Sequence, residues 1–557
     1  MTRATALLLA CLLAACQRSA DTPPTETFDA TASAGARRIE ADVRFLADDL
    51  LEGRETGTRG HELAALYVAQ RLRAIGLAPA GDDGSYYQRV PMLRATRVAD
   101  GGRLVVTRNG ATTALRFREQ FLPALNYHGA KVAVAAQAVF VGQGVYAPTL
   151  GHDDFSGIDL RGKIAVLFAG APAAFDIDRR AFHASSREKL RELSARGAIG
   201  AVFVDTDADE ARTPWTRTMQ GWDKSGMRLR APDGSGIDTF PQLRVIAHVS
   251  AAAADAVLAG DGRSAAQLFE AAEGGTLKPF ALPGVIALGA RTAITPVESR
   301  NVVARLAGSD AALAKQHVLF SAHLDHVGIG APVDGDAIYN GALDNALGVA
   351  VMLEAARELA AMPVQPKRSL LFVALTAEEK GLLGAQWYAR RPTVPRDSLV
   401  ANINMDMPML LTPTDDVVPV GLQHSSLQPL VQQAAKDIGV ALSPDPFPEQ
   451  SIFVRSDQYA FIRAGIPAVY LMAGTDASSS GDDAKAAMQT FLRERYHQPG
   501  DDVSQSIQYA DAARLGRLNA RIGQLLGDAP QRPVWNAGDF FGTRFGRAAA
   551  PAPAPAK

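Results

Sequence analysis

Four nearly continuous apolar runs after Ser299 constrain the fold of this chain more than any other feature. They are NVVARLAG, HVLFSAHLDH, KRSLLFVALTAEE and AGIPAVYLMA, and an amphipathic helical pattern, GVAVMLEAARELAAM, lies between the second and the third. Runs of this kind are typical of parallel strands that are buried on both faces. The sequence therefore predicts an α/β domain with a central mixed, largely parallel sheet flanked by helices.

Histidine and acidic residues follow these runs at the points where the strands end. His323 and Asp325 follow VLFSA, Glu378 and Glu379 follow LLFVALTA, and Asp406 follows VANINM. Ligands of open α/β sheets gather beyond the carboxyl ends of the strands. We therefore expect these side chains to meet at one edge of the sheet.

Two further segments add an acidic residue and a histidine: GALDNALG contains Asp344 and YHQPGDD contains His497. Two imidazoles and three carboxylates can bind two zinc ions, and a spare glutamate stands beside one of these ligands. The only two cysteines, Cys11 and Cys16, lie near the N-terminus, so nitrogen and oxygen must hold any metal. This set indicates metal-assisted hydrolysis of an amide.

The chain resembles the co-catalytic di-zinc aminopeptidases, peptidase family M28, in five segments: H-L-D-H at 323–326, G-A-L-D-N at 341–345, E-E at 378–379, N-M-D-M at 404–407 and Y-H-Q-P at 496–499. The likeness covers roughly residues 36–125 and 294–525. It implies a three-layer zinc-exopeptidase-like domain and two zinc ions per chain.

The resemblance also implies which residues bind each ion. One zinc would bind His323 and Asp406. The other would bind Glu379 and His497, and Asp344 would bridge the two ions.

Catalytic roles follow from the same resemblance. Glu378 would be the general base, which takes a proton from water and delivers it to the leaving amine. Asp325 would orient His323 through its far ring nitrogen. Tyr496 would donate a hydrogen bond to the developing oxyanion, and Arg455 would face the substrate.

Other positions complete this interpretation. The Asp344–Asn345 peptide matches a position where the family often has a non-proline cis bond. Gln458 stands where many relatives have histidine. This difference removes no predicted metal ligand, but it is expected to affect substrate contacts nearby. His326 is predicted to be structural, because five ligands already complete the set. The other histidines are predicted to be surface or capping residues: His61, His128, His152, His183, His248, His317 and His424.

The residue pattern of the stretch 126–290 differs from that of the rest of the chain. It contains the β-like runs KVAVAAQAVFVG, KIAVLFAG and GAVFVD. LRGKIAVLFAG followed by KLRELSARGAIGAVFVD resembles the protease-associated domain, a small β-rich module. Alternatively, these strands belong to the main sheet; the insertion is favoured because the flanking residues fit one catalytic domain. The predicted segments are a lipoprotein signal peptide (1–15), a flexible tether (16–35), the first part of the peptidase domain (36–125), the inserted domain (126–290), the second part with the metal site (291–530) and a C-terminal segment with a disordered tail (531–557).

The N-terminus predicts export. Arg3 precedes ALLLACLLAA, which is too short to span a bilayer, and L-A-A-C at 13–16 resembles the bacterial lipoprotein signal. We expect a protein anchored by lipid at Cys16, facing the periplasm or on the outer membrane; an ordinary secretory signal is the alternative. A formal net charge of −2 gives no reason to propose a nucleic-acid partner, and no long apolar run predicts a membrane-spanning body.

The leading functional hypothesis is a zinc-dependent aminopeptidase that acts on peptides. A carboxypeptidase on the same scaffold would need cationic groups for a free carboxylate, and only Arg455 is a candidate. A glutaminyl cyclase would use one zinc, and a non-catalytic binding protein would have lost metal ligands. The complete ligand set argues against both.

Overall fold

The computed structural model describes residues 31–476 and 483–546. The predicted signal peptide, the lipidated Cys16 and the Ala/Pro-rich tail lie outside these residues. Within the described ranges, no helix has the length and apolar character needed to cross a membrane.

Two helices and a long strand form the first part of the main domain. These elements are α1 (Ala34–Leu46), α2 (Arg59–Ile75), β1 (Ala78–Pro79) and β2 (Tyr87–Arg108). α1 begins inside the predicted tether (16–35), because the Ser33 hydroxyl accepts the Ala36 N–H at 3.2 Å and caps the helix. α2 ends at Gly76, whose φ of 99° is the left-handed conformation that glycine adopts readily after a helix.

The middle of the chain alternates short strands and helices. These are β3 (Ala111–Ala114), β4 (Phe121–Pro123), β5 (Lys131–Phe140), β6 (Tyr146–Ala147), β7 (His152–Asp153), β8 (Ile164–Phe168), α3 (Ile177–Ala184), α4 (Ser186–Ala195), β9 (Gly200–Val204), α5 (Asp207–Arg212), α6 (Trp215–Gln220), β10 (Gly226–Leu229), β11 (Val245–Val249), α7 (Ala254–Leu258), α8 (Ala265–Glu273) and β12 (Phe280–Leu306). Leu104, Leu115 and Phe121 are buried in the core of this middle domain. The packing therefore begins before the predicted boundary at residue 126.

The second part of the main domain contains the strands that the sequence predicts to be buried. Its elements are β13 (His317–His323), β14 (Gly328–Val333), β15 (Asp336–Tyr339), α9 (Leu347–Ala360), β16 (Ser369–Leu375), α10 (Leu383–Arg390), β17 (Leu399–Asn404), β18 (Asp416–Val420), α11 (Gln428–Ile438), β19 (Ala441–Leu442), α12 (Gln458–Arg463), β20 (Ala468–Ala473), α13 (Ala484–Glu494), α14 (Tyr509–Asp528) and α15 (Phe540–Phe545). The amphipathic pattern at 348–362 is helix α9, as predicted.

The sheet of the main domain has the order β19-β18-β20-β17-β13-β16-β12. β13 is parallel to β16 and β17, and β17 is parallel to β20. By contrast, β12 pairs antiparallel with β16, and β18 pairs antiparallel with β20. Phe320 faces a core shared with α9 and α14, and Leu319 faces one shared with α10 and α12. This confirms the three-layer α/β fold with a mixed, largely parallel sheet.

The middle domain continues the same sheet through β12 in the order β5-β8-β9-β11-β4. Its side chains nevertheless form separate hydrophobic cores. The hydrogen bonding of the sheet is therefore continuous, whereas the side chains of its two parts pack in separate cores.

Candidate metal centre

The predicted site residues gather at one edge of the sheet, as the strand ends require. His323 is the last residue of β13, Glu378 and Glu379 follow the end of β16, and Asp406 follows β17 by two residues. The parallel pairing of these strands brings their carboxyl ends together. The predicted placement is confirmed.

A first group of donors consists of His323, Asp344 and Asp406, all of them buried. His323 Nε2 lies 3.0 Å from Asp406 Oδ1 and 3.1 Å from Asp344 Oδ1. One nitrogen and two carboxylate oxygens therefore converge on a common point, as ligands of one cation would.

A second group shares the other oxygen of Asp344. His497 Nε2 lies 3.2 Å from Asp344 Oδ2 and 3.1 Å from Glu379 Oε2. His326 Nδ1 lies 2.9 Å from Glu379 Oε1 and 3.8 Å from Asp344 Oδ2. His326 was predicted to be structural, but its ring lies inside this donor group. Its position directly after H-L-D was the available signal.

The second group fits a bound metal ion. Both ring nitrogens of His326 and Oε1 of Glu379 are buried, and none of them makes a hydrogen bond of acceptable geometry within the described residues. Buried polar atoms are normally satisfied, so unpaired donors that face one another indicate a ligand between them. Imidazole nitrogen with carboxylate oxygen is a donor set that zinc accepts.

The acidic groups dominate the electrostatics of the centre. Burial raises the pKa of Glu378 well above its usual value, and the neighbouring carboxylates Asp406, Glu379 and Asp457 raise it further. Burial would lower the pKa of His497, but hydrogen bonds to Asp344 and Glu379 raise it to about 10. A bound cation would stabilise this cluster of buried carboxylates in its charged form.

Asp325 supports the centre through a contact other than the predicted one. His323 Nδ1 lies 3.0 Å from the backbone carbonyl of Asp325, not from its carboxylate. The carboxylate accepts the N–H of Glu378 at 3.0 Å, the N–H of Glu379 at 3.4 Å and the hydroxyl of Thr56 at 3.0 Å. The prediction that the Asp325 side chain orients His323 is therefore corrected: it positions the two glutamates.

The loop that carries Asp344 is held by a residue that the sequence analysis did not single out. Asp501 accepts the N–H of Leu343 at 2.9 Å and that of Asp344 at 3.0 Å through its two carboxylate oxygens. Its place in the YHQPGDD segment, next to a predicted ligand, was a usable signal. The Asp344–Asn345 bond is cis, as the resemblance implied.

Arg54 connects its own segment to two loops that border the centre. Its buried guanidinium donates to the carbonyls of Leu324 at 2.9 Å, Asn340 at 2.6 Å and Gly341 at 3.1 Å. Burial lowers its pKa to about 10, while Asp344 and Asp501 oppose that shift. No local pattern around Arg54 indicates this role, because these three partners lie 270 or more positions away and only a fourth, the carbonyl of Leu46, is close in sequence.

A cavity of about 300 Å³ opens beside the first donor group. Glu378, Asp344 and Asp406 form its acidic end, and the remaining wall is mostly apolar: Met407, Met409, Phe447, Ile452, Tyr470, Met472, Leu492 and Tyr496. Tyr496 stacks on His497 with ring centroids 3.8 Å apart. Arg455 lies exposed at this cavity, where its guanidinium donates to the Gln450 side chain at 3.2 Å.

Gln458 supports the wall of this cavity rather than lining it. It is buried, accepts the Asn404 amide at 2.8 Å and donates to the carbonyls of Ile452 and Phe453 at 3.1 and 3.2 Å. Gln458 thus supports the cavity through the Ile452–Val454 turn.

Several known proteins are similar to parts of this chain. Over 114 residues it is 40% identical to a probable zinc metalloprotease of Pyrenophora teres f. teres (strain 0-1), a match that covers 20% of this chain and 23% of that protein. It is 27% identical over 214 residues to leupeptin-inactivating enzyme 1 of Streptomyces exfoliatus, which covers 37% of this chain and 43% of that protein. The chain therefore spans less than half the length of these curated relatives.

The overall fold is similar to that of an aminopeptidase from Aneurinibacillus sp. strain AM-1. The TM-score is 0.51 at 19% identity, and the alignment covers 89% of this chain and 95% of that one. At this identity the likeness shows a shared fold. Residues 301–522 match the model of peptidase family M28 and contain all the donor residues described above. Over this segment, the chain is similar to peptidase family M28.

Proposed function

We propose that this protein is a zinc-dependent aminopeptidase that releases N-terminal residues from peptides. One observation carries the proposal: Asp344 is shared by two donor groups, and Glu378 stands beside them at a cavity with room for about one residue. A two-metal exopeptidase needs this combination of a site for a metal pair, a base and a cavity for one residue.

The metals that fit this site are two zinc ions. His323 and Asp406 would hold one ion, Glu379, His497 and His326 the other, and Asp344 both. When bound, such a pair polarises the scissile carbonyl and lowers the pKa of water.

Glu378 is the group that moves the proton. It belongs to neither donor group, and it lines the substrate cavity. From there its carboxylate takes a proton from the attacking water and returns it to the leaving amine. Asp325 fixes the Glu378 backbone for this task, and Tyr496, which lines the same cavity, would donate to the developing oxyanion.

The cavity favours a free amine over a free carboxylate. Three carboxylates form its inner end, which suits the protonated α-amino group of a peptide, and its wall suits an apolar side chain. Hydrolysis of leucyl-p-nitroanilide, its loss on treatment with a chelator and its return with zinc test this proposal. The N-acetylated anilide should not react, and about two zinc ions should be bound per chain.

One observation favours a carboxypeptidase as the second candidate. Arg455 lies at the cavity, and no carboxylate within the described residues lies within salt-bridge distance of it. Cleavage of N-blocked peptides with a free C-terminus, without cleavage of C-blocked peptides, would support this candidate instead.

We also propose, from the N-terminal pattern alone, that the protein is exported and carries lipid on Cys16. Incorporation of labelled fatty acid by the wild type, and its absence in Cys16→Ser, would support the lipid anchor.

The middle domain is proposed to be a protease-associated domain.

A further inference from the structure

A second and larger cavity reaches the metal centre from the inserted domain. Its volume is about 960 Å³, roughly three times that of the substrate cavity. Glu379 and His497 line it, whereas their neighbours Glu378 and Tyr496 line the smaller one. The two cavities therefore flank the donor groups, and a chain lying across the centre would extend from one into the other.

A strand of the inserted domain forms the far wall of this cleft. β10 pairs antiparallel with β2, with Met227 opposite Arg94. Met227 and Leu229 are buried against Ala377, the residue immediately before Glu378. Since side chains alternate along a strand, Arg228 points away from this core, and it lines the cleft.

Asp238, which also lines the cleft, forms salt bridges with a residue of each domain. Asp238 Oδ2 lies 2.5 Å from Arg187 of α4 and 2.6 Å from Arg390 of α10. Each of these side chains is about one-third exposed. The position of β10 relative to the metal centre is therefore defined by contacts rather than by a free linker.

Two cations of this wall have no acidic partner. Lys224 and Arg228 line the cleft, and no carboxylate among the described residues lies within 4.0 Å of either charged group. The Arg228 guanidinium instead lies over the Tyr127 ring, 5.2 Å from its centroid. By contrast, Lys380 is paired with Glu55 at 2.9 Å.

The acidic residues of the cleft do not pair with these two cations. Asp223 lines the cleft as an exposed carboxylate, but the other acidic residues there are committed to partners: Glu55, Asp238 and Glu379. An anionic group on a bound chain would thus meet two available cations. Charge-assisted hydrogen bonds of this kind are stronger than neutral ones.

We propose that this cleft binds the departing part of the peptide, and that Lys224 and Arg228 recognise its C-terminal carboxylate. The inference rests on the proposed aminopeptidase function and adds a substrate class to it. Short peptides with a free C-terminus are the preferred substrates, because the volume of the cleft suits two or three residues beyond the cleaved bond.

The test compares leucyl-alanyl-alanine with its C-terminal amide. We expect the wild type to have a lower KM for the acid, and this preference to fall about tenfold in Lys224→Gln/Arg228→Gln. Arg228→Lys should keep most of the preference because it keeps the charge. Lys131→Gln/Arg291→Gln removes two exposed cations on paired residues of β5 and β12, outside the cleft, and should keep the wild-type preference.

A second measurement avoids turnover of the peptide. Alanyl-alanine, the product, should inhibit leucyl-p-nitroanilide hydrolysis by the wild type, and its inhibition constant should rise about tenfold in the cleft variant. Equal KM values for acid and amide in the wild type, or an unchanged preference in the folded cleft variant, would overturn the inference. Failure of the wild type to hydrolyse even the anilide would contradict the proposed function itself.

Discussion

The side chain of Asp325 accepts the backbone N–H of Glu378 at 3.0 Å. The same carboxylate accepts the Glu379 N–H at 3.4 Å, so one buried residue orients both the proposed base and a proposed ligand. Removal of such a supporting group typically costs 10- to 100-fold in activity or metal affinity.

Asp325→Asn should therefore reduce kcat/KM for leucyl-p-nitroanilide by roughly 10- to 100-fold. The amide that replaces one carboxylate oxygen can only donate, so one of the two N–H groups loses its acceptor. Steady-state kinetics and zinc analysis measure the effect. Asp334→Asn, in an exposed turn, is the control with the same change of charge, and equal activity of the two variants would contradict the role of Asp325.

Glu378→Gln and Glu379→Gln should separate the two adjacent glutamates. Loss of the base should lower kcat by roughly 10²- to 10⁴-fold while the zinc content stays at the wild-type level. Loss of Glu379 should instead lower the zinc content, because Glu379 contacts His326 and His497 in the second donor group. Zinc analysis after dialysis distinguishes them, and an active Glu378→Gln variant would exclude this base.

His326→Gln should weaken binding of one zinc ion and leave the other in place. His326 contacts Glu379 and Asp344 but is not a member of the group that contains His323 and Asp406. Zinc titration against a chelator should show one weakened site. The control is His317→Gln at the opposite end of β13, where the ring contacts Ser398 rather than the donor groups. Two unchanged sites in His326→Gln would return this residue to a structural role.

The convergence of His323, Glu379 and Asp406 could be predicted because strand ends in a parallel sheet share an edge. Asp344 and His497 follow no strand of this sheet, and only the resemblance to the family segments brought them into the set. The inclusion of His326 could not be predicted in the same way. β13 ends at His323, and beyond that point the alternation of side chains no longer indicates a direction. The contact of Asp325 depends on the path of the same loop, which only the folded structure defines.

The boundary of the inserted domain was predicted less well, and long strands explain why. β2 runs from Tyr87 to Arg108, so a single strand passes from the packing of the main domain into that of the inserted one. β12 does the same in the opposite direction. Both strands continue across the transition, and only a register shift between Ala290 and Thr292 of β12 marks it. The Asp100-Gly101-Gly102 segment of β2 lies opposite this shift and was the available local signal.

Lys189 provides a test of the inserted domain that does not involve the metal centre. Its side chain is 1% exposed, and its amine donates to the carbonyl of Gly170 at 2.6 Å and to that of Gln143. Burial lowers the pKa of Lys189 to about 7, although the negative charge of nearby Asp154 acts in the opposite direction and raises it. In the unfolded chain a lysine keeps its proton to about pH 10.4.

Between about pH 7 and pH 10 the unfolded state therefore binds more protons at this position than the folded state. The free energy of unfolding rises with pH in that window, by at most about 1.4 kcal/mol per pH unit from this group. Lys189→Met lacks this contribution and leaves two carbonyls without a donor at every pH. Denaturant unfolding at pH 7, 8 and 9 should show the wild type gaining stability relative to Lys189→Met as the pH rises. The exposed control Lys131→Met should run parallel to the wild type, and a Lys189→Met profile that also runs parallel would show that the lysine stays charged in the fold.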